Sequence, residues 1–354
     1  MKRSVIMFAV IFMTLALVIM PLIAACSKPA PAPTPAPAPA PTPAPAPPPK
    51  PEPIVLKTVQ AGWLGHPLFV GFDWFVEQVN GKSNGALTID IIGGPDVIPI
   101  GDQGDAVAAG TIDMNANYGG FLIKLVTAMN MYYQRRISPQ EMQSSGAYDL
   151  LQDEFNKVGI YFLGPGREIQ EAATNMVTNV WVDNSEDLAG QRITSSATFS
   201  QWITALDMTY ISASPSERYS AMERGVVDGA CNSIEGTLGA SYFEVADYWI
   251  DHGVYSSGEV ILMNLDKWNS LPEHLQKLLT DVQHELIFEQ MPAMAEQVQI
   301  ESKQGLRDNG MRPIVFKPED AKRFVETSYE AKWAANIEKF PEWGPRMYEM
   351  WGKP

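Results

Sequence analysis

The chain has few of the residues on which disulfide-built domains and most metalloenzymes depend. Only two cysteines, Cys26 and Cys231, occur in 354 residues, too few for a disulfide framework. The four histidines, His66, His252, His274 and His284, form no HxxxH or HxH pair, and no cysteine cluster accompanies them. Neither a structural nor a catalytic metal is signalled, and no cofactor is expected. P-loop and GxGxxG patterns are absent, and the one GxSxG spacing, Gly81-Lys-Ser-Asn-Gly85, is a turn from a helix into a strand, not the strand-to-helix turn of a nucleophile elbow. Positive charge is short too: 26 Lys and Arg face 41 Asp and Glu, a formal net charge of −15. This argues against nucleic acid, whose phosphates are bound by exchanging counterions for Lys and Arg. It argues equally against general adhesion to anionic membranes. After residue 25 there is no further apolar run of membrane length.

What is present falls into three segments. Met1-Lys2-Arg3 is a short basic start, and Ser4 to Ala25 is almost continuously apolar. The run is long enough for a membrane helix. Its N-terminal position, basic start and small terminal residues predict instead a signal peptide over residues 1–25, with an uncleaved anchor helix as the alternative. Ile23-Ala24-Ala25-Cys26 resembles the lipobox of bacterial lipoproteins, which implies that Cys26 is lipidated and becomes the mature N-terminus. Either reading places the rest of the chain in the cell envelope, periplasmic or otherwise extracytoplasmic, and tied to a membrane.

Residues 26–53 follow, and 14 of the 28 prolines lie between Pro29 and Pro53. Proline fixes φ and offers no donor, so this segment is expected to extend as polyproline II. At about 3.1 Å per residue it reaches roughly 75 Å, a stiff spacer between lipid and working domain. With Cys26 acylated, Cys231 has no intramolecular partner. It sits in Asp228-Gly-Ala-Cys-Asn232 without a catalytic signature, and a small buried filler is the expected role.

Residues 54–354 hold the acidic excess. Ile54–Gln60 and Ala86–Ile92 alternate as strands, and Leu68–Asn80 has helical spacing through Phe72, Phe75, Val76 and Val79. Asp102–Ala109 is expected as a short helix and Ile112–Asn115 as a short strand. Ile160–Leu163 and Gln191–Thr194 are further strands. Met208–Ser212 is a strand or an extended loop. Phe199–Leu206, Ser216–Arg224, Pro272–Gln290 and roughly Ala293–Asn309 are expected as helices. Strands alternating with helices predict an α/β fold with mostly parallel sheets. The length suits two lobes of about 120 to 150 residues with a ligand crevice between them.

The residues also resemble a known family. Asn184-Ser-Glu-Asp-Leu-Ala-Gly-Gln-Arg-Ile-Thr194 is similar to the PEDLKGLKIR segment of TRAP-type (tripartite ATP-independent periplasmic) transporter solute-binding proteins. Arg218-Tyr-Ser-Ala-Met-Glu-Arg-Gly-Val-Val-Asp-Gly-Ala-Cys-Asn232 resembles that family's YxALQxGxVDGxEN block. Tyr242–Tyr248 with His252, Trp268–Lys277, Gly81–Gly85 and Ala108–Met114 match further blocks, in family order. The resemblance implies a two-lobed, hinge-closing periplasmic-binding-protein-like fold of the class II type. It implies lobe I over about 54–175 and 255–295, and lobe II over about 176–254 and 296–354. It also implies a binding protein that hands a small-molecule solute to a small and a large TRAP membrane subunit, driven by an ion gradient.

The sequence departs from the family at the ligand. Family members grip a carboxylate through an arginine that forks onto it with charge-assisted hydrogen bonds. The matching position here is Thr194, and Thr174 stands where many members carry a second arginine. Arg167 and Arg192 are the candidate substitutes. Carried over by position, the crevice would be lined by Trp63, Tyr118, Thr198, Ser214 and Asn232, with Trp202 or Phe121 as possible extensions of its aromatic surface. Three solute classes stay open: a carboxylate, a neutral polar or aromatic compound, and an amine drawing on Glu168, Glu171, Asp228 and Glu235. An enzyme, a sensor ectodomain and a structural lipoprotein are the competing classes. Neither catalytic residues nor a metal site is expected, and transport is the reading adopted.

Overall fold

Runs rich in β-branched residues become strands, and the chain spends them in two sheets. The computed structural model describes residues 52–62, 64, 69–167, 174–256 and 258–353. The leader, almost all of the Pro/Ala-rich segment and two singled-out loop residues, Trp63 and His66, lie outside the described residues. In chain order the first strands are β1 (Ile54–Gln60), β2 (Leu87–Gly93), β3 (Met114–Tyr118) and β4 (Ile160–Pro165). Next come β5 (Thr174–Thr178), β6 (Arg192–Ser195), β7 (Thr209–Ser212), β8 (Gly229–Asn232) and β9 (Tyr248–Val254). The last are β10 (Glu259–Asn264) and β11 (Arg312–Ile314). One sheet has the order β2-β1-β3-β10-β4, the other β11-β9-β5-β8-β6-β7.

Neither sheet is purely parallel. In the first, β10 enters antiparallel between β3 and β4; in the second, β5 enters antiparallel between β8 and β9. These are the strands by which the chain arrives from the other sheet, β4 leading to β5 and β9 leading to β10. Each crossing therefore inserts one strand against the run of its neighbours. Both inserted strands are buried along their whole length, so they carry none of the alternation that marks a half-exposed strand.

Other expectations shift for local reasons. The strand expected at Ile112–Asn115 begins at Met114, because residues 111–113 are used in a turn. There the Thr111 and Ile112 N–H groups donate to the Ala106 carbonyl, and Asp113 receives the Lys57 N–H at 2.8 Å. The segment expected as a strand or loop at Met208–Ser212 is a strand over Thr209–Ser212, paired parallel to β6. The two helices expected after Pro272 are one continuous run, Glu273–Glu285 and Met291–Asp308 joined by a π-turn over Leu286–Gln290. Pro292 explains the turn: proline donates no N–H and crowds the carbonyl four residues back, and a π-turn absorbs that mismatch.

The core combines aliphatic and aromatic side chains. Phe69, Phe72, Phe75, Ile261 and Met263 pack between the first sheet and the helix Val70–Lys82. Trp202 is fully buried, edge-on to Phe324 at 5.2 Å and to Tyr255 at 6.4 Å. It is a core residue and does not extend a crevice. Tyr255 itself sits at the second crossing with φ 58, a left-handed conformation that side chains other than glycine seldom adopt. It is held there by its N–H donating to the Tyr329 hydroxyl and its own hydroxyl donating to the Ser328 carbonyl at 2.7 Å.

Candidate ligand-binding cleft

At the crossings between the sheets the fold buries two ionisable side chains, Arg167 and Glu259. Arg167 lies two residues beyond β4, where the chain leaves the first sheet. Its position depends on two glycines. A Cβ on Gly71 would meet the Gly166 carbonyl oxygen at 2.5 Å, and one on Gly166 would meet Ile261 at 2.9 Å and Glu259 at 3.2 Å. Without side chains at both positions, the start of the helix Val70–Lys82 closes onto the end of β4. The Gly166 N–H then donates to the Glu259 carbonyl at 2.9 Å.

Arg167 is only 2% exposed, and its Nη2 donates to Glu235 Oε1 at 2.8 Å. Glu235 belongs to the helix Ile234–Gly239 that follows β8, so this ion pair joins the two sheets' chain segments. Gln299, on the long helix Met291–Asp308, donates to the other Glu235 oxygen at 3.4 Å. Arg167 Nε has no hydrogen-bond partner among the described residues.

Glu259 opens β10 and is 1% exposed; it lies opposite Tyr118, the last residue of β3, in the sheet register. Neither carboxylate oxygen is hydrogen-bonded to another described residue. Burial pushes its carboxyl up to about 8, against the opposing pull of the Arg167 charge and its own backbone N–H, with Asp73 adding a smaller upward push. Tyr118 is held well above the ordinary phenol range, first by burial and then by the Glu259 charge. Its ring also packs edge-on against Phe69 at 5.5 Å. Tyr118, Arg167, Glu235 and Glu259 thus form one buried, electrostatically linked group.

The remaining expected site residues fare differently. Asn232 ends β8, half-buried, and its Oδ1 accepts the Ser233 N–H at 3.0 Å. Thr194 is fully buried in β6 between β7 and β8, with no hydrogen-bond partner for its hydroxyl among the described residues. Thr198 is half-buried in the single turn Ala197–Phe199. Ser214 is exposed and caps the helix Pro215–Glu223, its hydroxyl donating to Glu217 at 2.6 Å. Arg192 turns to Asp228 in a forked pair, Nε at 3.0 Å and Nη2 at 2.6 Å, and also bonds the Gly225 carbonyl. It and Asp228 are therefore committed to each other. Phe121 is about half exposed. Glu168 and Glu171, like Trp63, lie outside the described residues.

Glu259 is the group that sequence reading missed. Its one signal was an acid heading an otherwise apolar strand, Glu-Val-Ile-Leu-Met. Other titratable groups are structural. His252 Nε2 accepts the Phe316 N–H at 2.8 Å, and burial lowers its tendency to protonate. Cys231 is buried and its thiol is pushed up to about 12, so it is no nucleophile. A cavity of ≈ 220 Å³ lies elsewhere, along the open edge of β4 between Tyr148, Tyr161, Gln283 and Phe288. Among the described residues no group of three or more His, Cys, Asp or Glu could hold a metal ion, and no helix is long and apolar enough to cross a membrane.

Residues 62–338 match the family described as bacterial extracellular solute-binding protein, family 7 (DctP). The chain belongs to this family. The two-lobed α/β architecture agrees with solved TRAP periplasmic solute-binding proteins. One from Desulfovibrio salexigens, with bound orotic acid, is 20% identical, with 84% of this chain and 96% of that chain covered and a TM-score of 0.70. One from Sulfitobacter sp. NAS-14.1, with bound β-D-galacturonate, is 18% identical over 84% and 99%, with a TM-score of 0.68. The Bordetella pertussis extracytoplasmic solute receptor DctP7, binding pyroglutamic acid, is 16% identical over 84% and 99%, with a TM-score of 0.69. As a TRAP-type member of family 7, the chain is a solute-binding receptor and not an enzyme.

Proposed function

We propose that this receptor captures a small organic acid, aliphatic or aromatic, and delivers it to the small and large membrane subunits of a TRAP transporter. One observation carries the reading: a deeply buried guanidinium, Arg167, stands at the crossing between the sheets, its Nε without a hydrogen-bond partner among the described residues. The solute's carboxylate takes the place of Glu235 on Arg167, and Tyr118, Thr194, Thr198 and Asn232 supply the surrounding surface. Trp63 and Ser214 complete the proposed set. The solved relatives that hold orotate, galacturonate and pyroglutamate support the acid class. The lobes, about 54–175 with 255–295 and about 176–254 with 296–354, close over the solute. Residues 1–25 are removed, Cys26 is acylated, and residues 26–53 space the receptor from the membrane.

Titration of the full-length chain with orotate, D-galacturonate, D-glucuronate and pyroglutamate tests the solute. A charged hydrogen bond contributes about 1.5–3 kcal/mol, so Arg167→Ala should weaken the bound acid by about tenfold or more. An unchanged affinity would remove Arg167 from the site. Cys26→Ser should release the protein from the membrane fraction.

A further inference from the structure

The charge count at the crossing narrows the solute class. Besides the phenols of Tyr118 and Tyr133 and the carboxyl of Asp73, one guanidinium and two buried carboxyls stand there: Arg167, Glu235 and Glu259. Arg167 and Glu235 neutralise each other at 2.8 Å, with side chains 2% and 8% exposed. Glu259 is left over, buried and without a hydrogen-bond donor from any other described residue. The groups that face it are Arg167 beyond β4, Asp73 from the helix Val70–Lys82, Tyr118 from β3, and Tyr133, whose hydroxyl bonds Gly258 at 2.6 Å. Only Arg167 among them is a cation, and its Nη2 is already engaged.

A purely anionic solute meets an obstacle here. When its carboxylate takes Arg167, Glu235 loses its partner and stays buried as an unpaired charge, beside the unbonded carboxyl of Glu259. Burying unpaired charge is among the largest penalties a protein interior imposes. A solute that also carries a cationic nitrogen adds no net charge and provides the missing donors. We infer that the solute is a zwitterion, its carboxylate received by Arg167 and its cationic nitrogen by the carboxylates of Glu259 and Glu235. This rests on the receptor role proposed above and specifies its substrate. Glu259 is then a specificity-determining residue, its carboxylate accepting from the solute's nitrogen.

Titration calorimetry on the full-length chain tests the inference. The probes are neutral zwitterions with N–H donors (L-alanine, L-proline) and anions (D-galacturonate, orotate). At least one zwitterion should bind tenfold or more tightly than either anion. Glu259→Gln should weaken that zwitterion at least tenfold while leaving anion binding unchanged or stronger. Because Glu259 must shed its proton to receive the nitrogen, zwitterion affinity should rise about tenfold per pH unit between pH 6 and 7.5, and flatten in the variant. Should Glu259→Gln fail to fold, Glu235→Gln and the wild-type pH series read the same effect. Binding of anions alone, with no loss in Glu259→Gln, overturns the zwitterion and leaves the organic-acid receptor standing. Loss of no solute in Arg167→Ala, or binding of no probe at all, overturns both.

Discussion

Arg167 and Glu235, 68 positions apart in the chain, form an ion pair at 2.8 Å in which neither side chain is more than 8% exposed. It links the end of β4 to the helix after β8. Such a pair is poor evidence of net stability, because taking two charges out of water offsets most of their attraction. Breaking it from one side is another matter. Arg167→Ala should destabilise the chain by about 3–5 kcal/mol, since Glu235 would remain buried without its partner. The double change Arg167→Met with Glu235→Leu should be close to neutral. Urea unfolding of the three variants without solute checks both. A large loss in the double variant as well would mean that packing, and not charge, holds this contact.

Glu259 gives stability a pH slope of unusual sign for a carboxyl. Its folded value, about 8, lies above the ordinary 4.5. Between these limits the folded chain keeps a proton that the unfolded chain has released. The contribution is therefore fully present below about pH 4.5 and is lost as pH rises through 8, by up to about 1.4 kcal/mol per pH unit within the window. Glu259→Gln should remove the slope, so that its stability relative to wild type rises from pH 5 to pH 8. Parallel denaturation curves at both pH values would contradict the buried protonated carboxyl.

Thr194 is fully buried and its hydroxyl lacks a partner among the described residues. Valine has nearly the same shape and no hydroxyl to desolvate. Thr194→Val should therefore stabilise the solute-free chain by about 1 kcal/mol. The midpoint of urea unfolding reads this directly. A loss of stability would show that the hydroxyl has a partner in the folded protein.

Cys231 should resist thiol reagents. Burial and a thiol pushed up to about 12 leave almost no thiolate at pH 8. In a Cys26→Ser background, Ellman's reagent should find no reactive thiol in the native protein and one after unfolding in guanidinium chloride. Rapid native labelling would place Cys231 at an accessible surface.

Much of the architecture was legible along the chain. Ile54–Gln60, Ile160–Leu163 and Gln191–Thr194 announced strands because one face of each differs from its flanks or because turn residues bound them. Phe72, Phe75 and Val79 marked the inner face of the first helix, and all three are buried. The family blocks ran in order through the same elements. By contrast β5 and β10 escaped notice, since a strand buried on both faces has no period of two to read. Arg167 was singled out and Glu235 held only as an outside possibility. Neither gave any sign of being paired with the other.

The sequence by itself determined the α/β class and the receptor family, because each is written in local pattern or in residue identity. Only the tertiary structure decided that Arg192 belongs to Asp228, that Trp202 is core, and that Arg167, Glu235 and Glu259 share one buried group. The physical reason is that charge pairing and desolvation act between side chains brought together by the two crossings of the chain. Residues 167, 235 and 259 become neighbours only when β10 enters the first sheet and the helix after β8 reaches the end of β4.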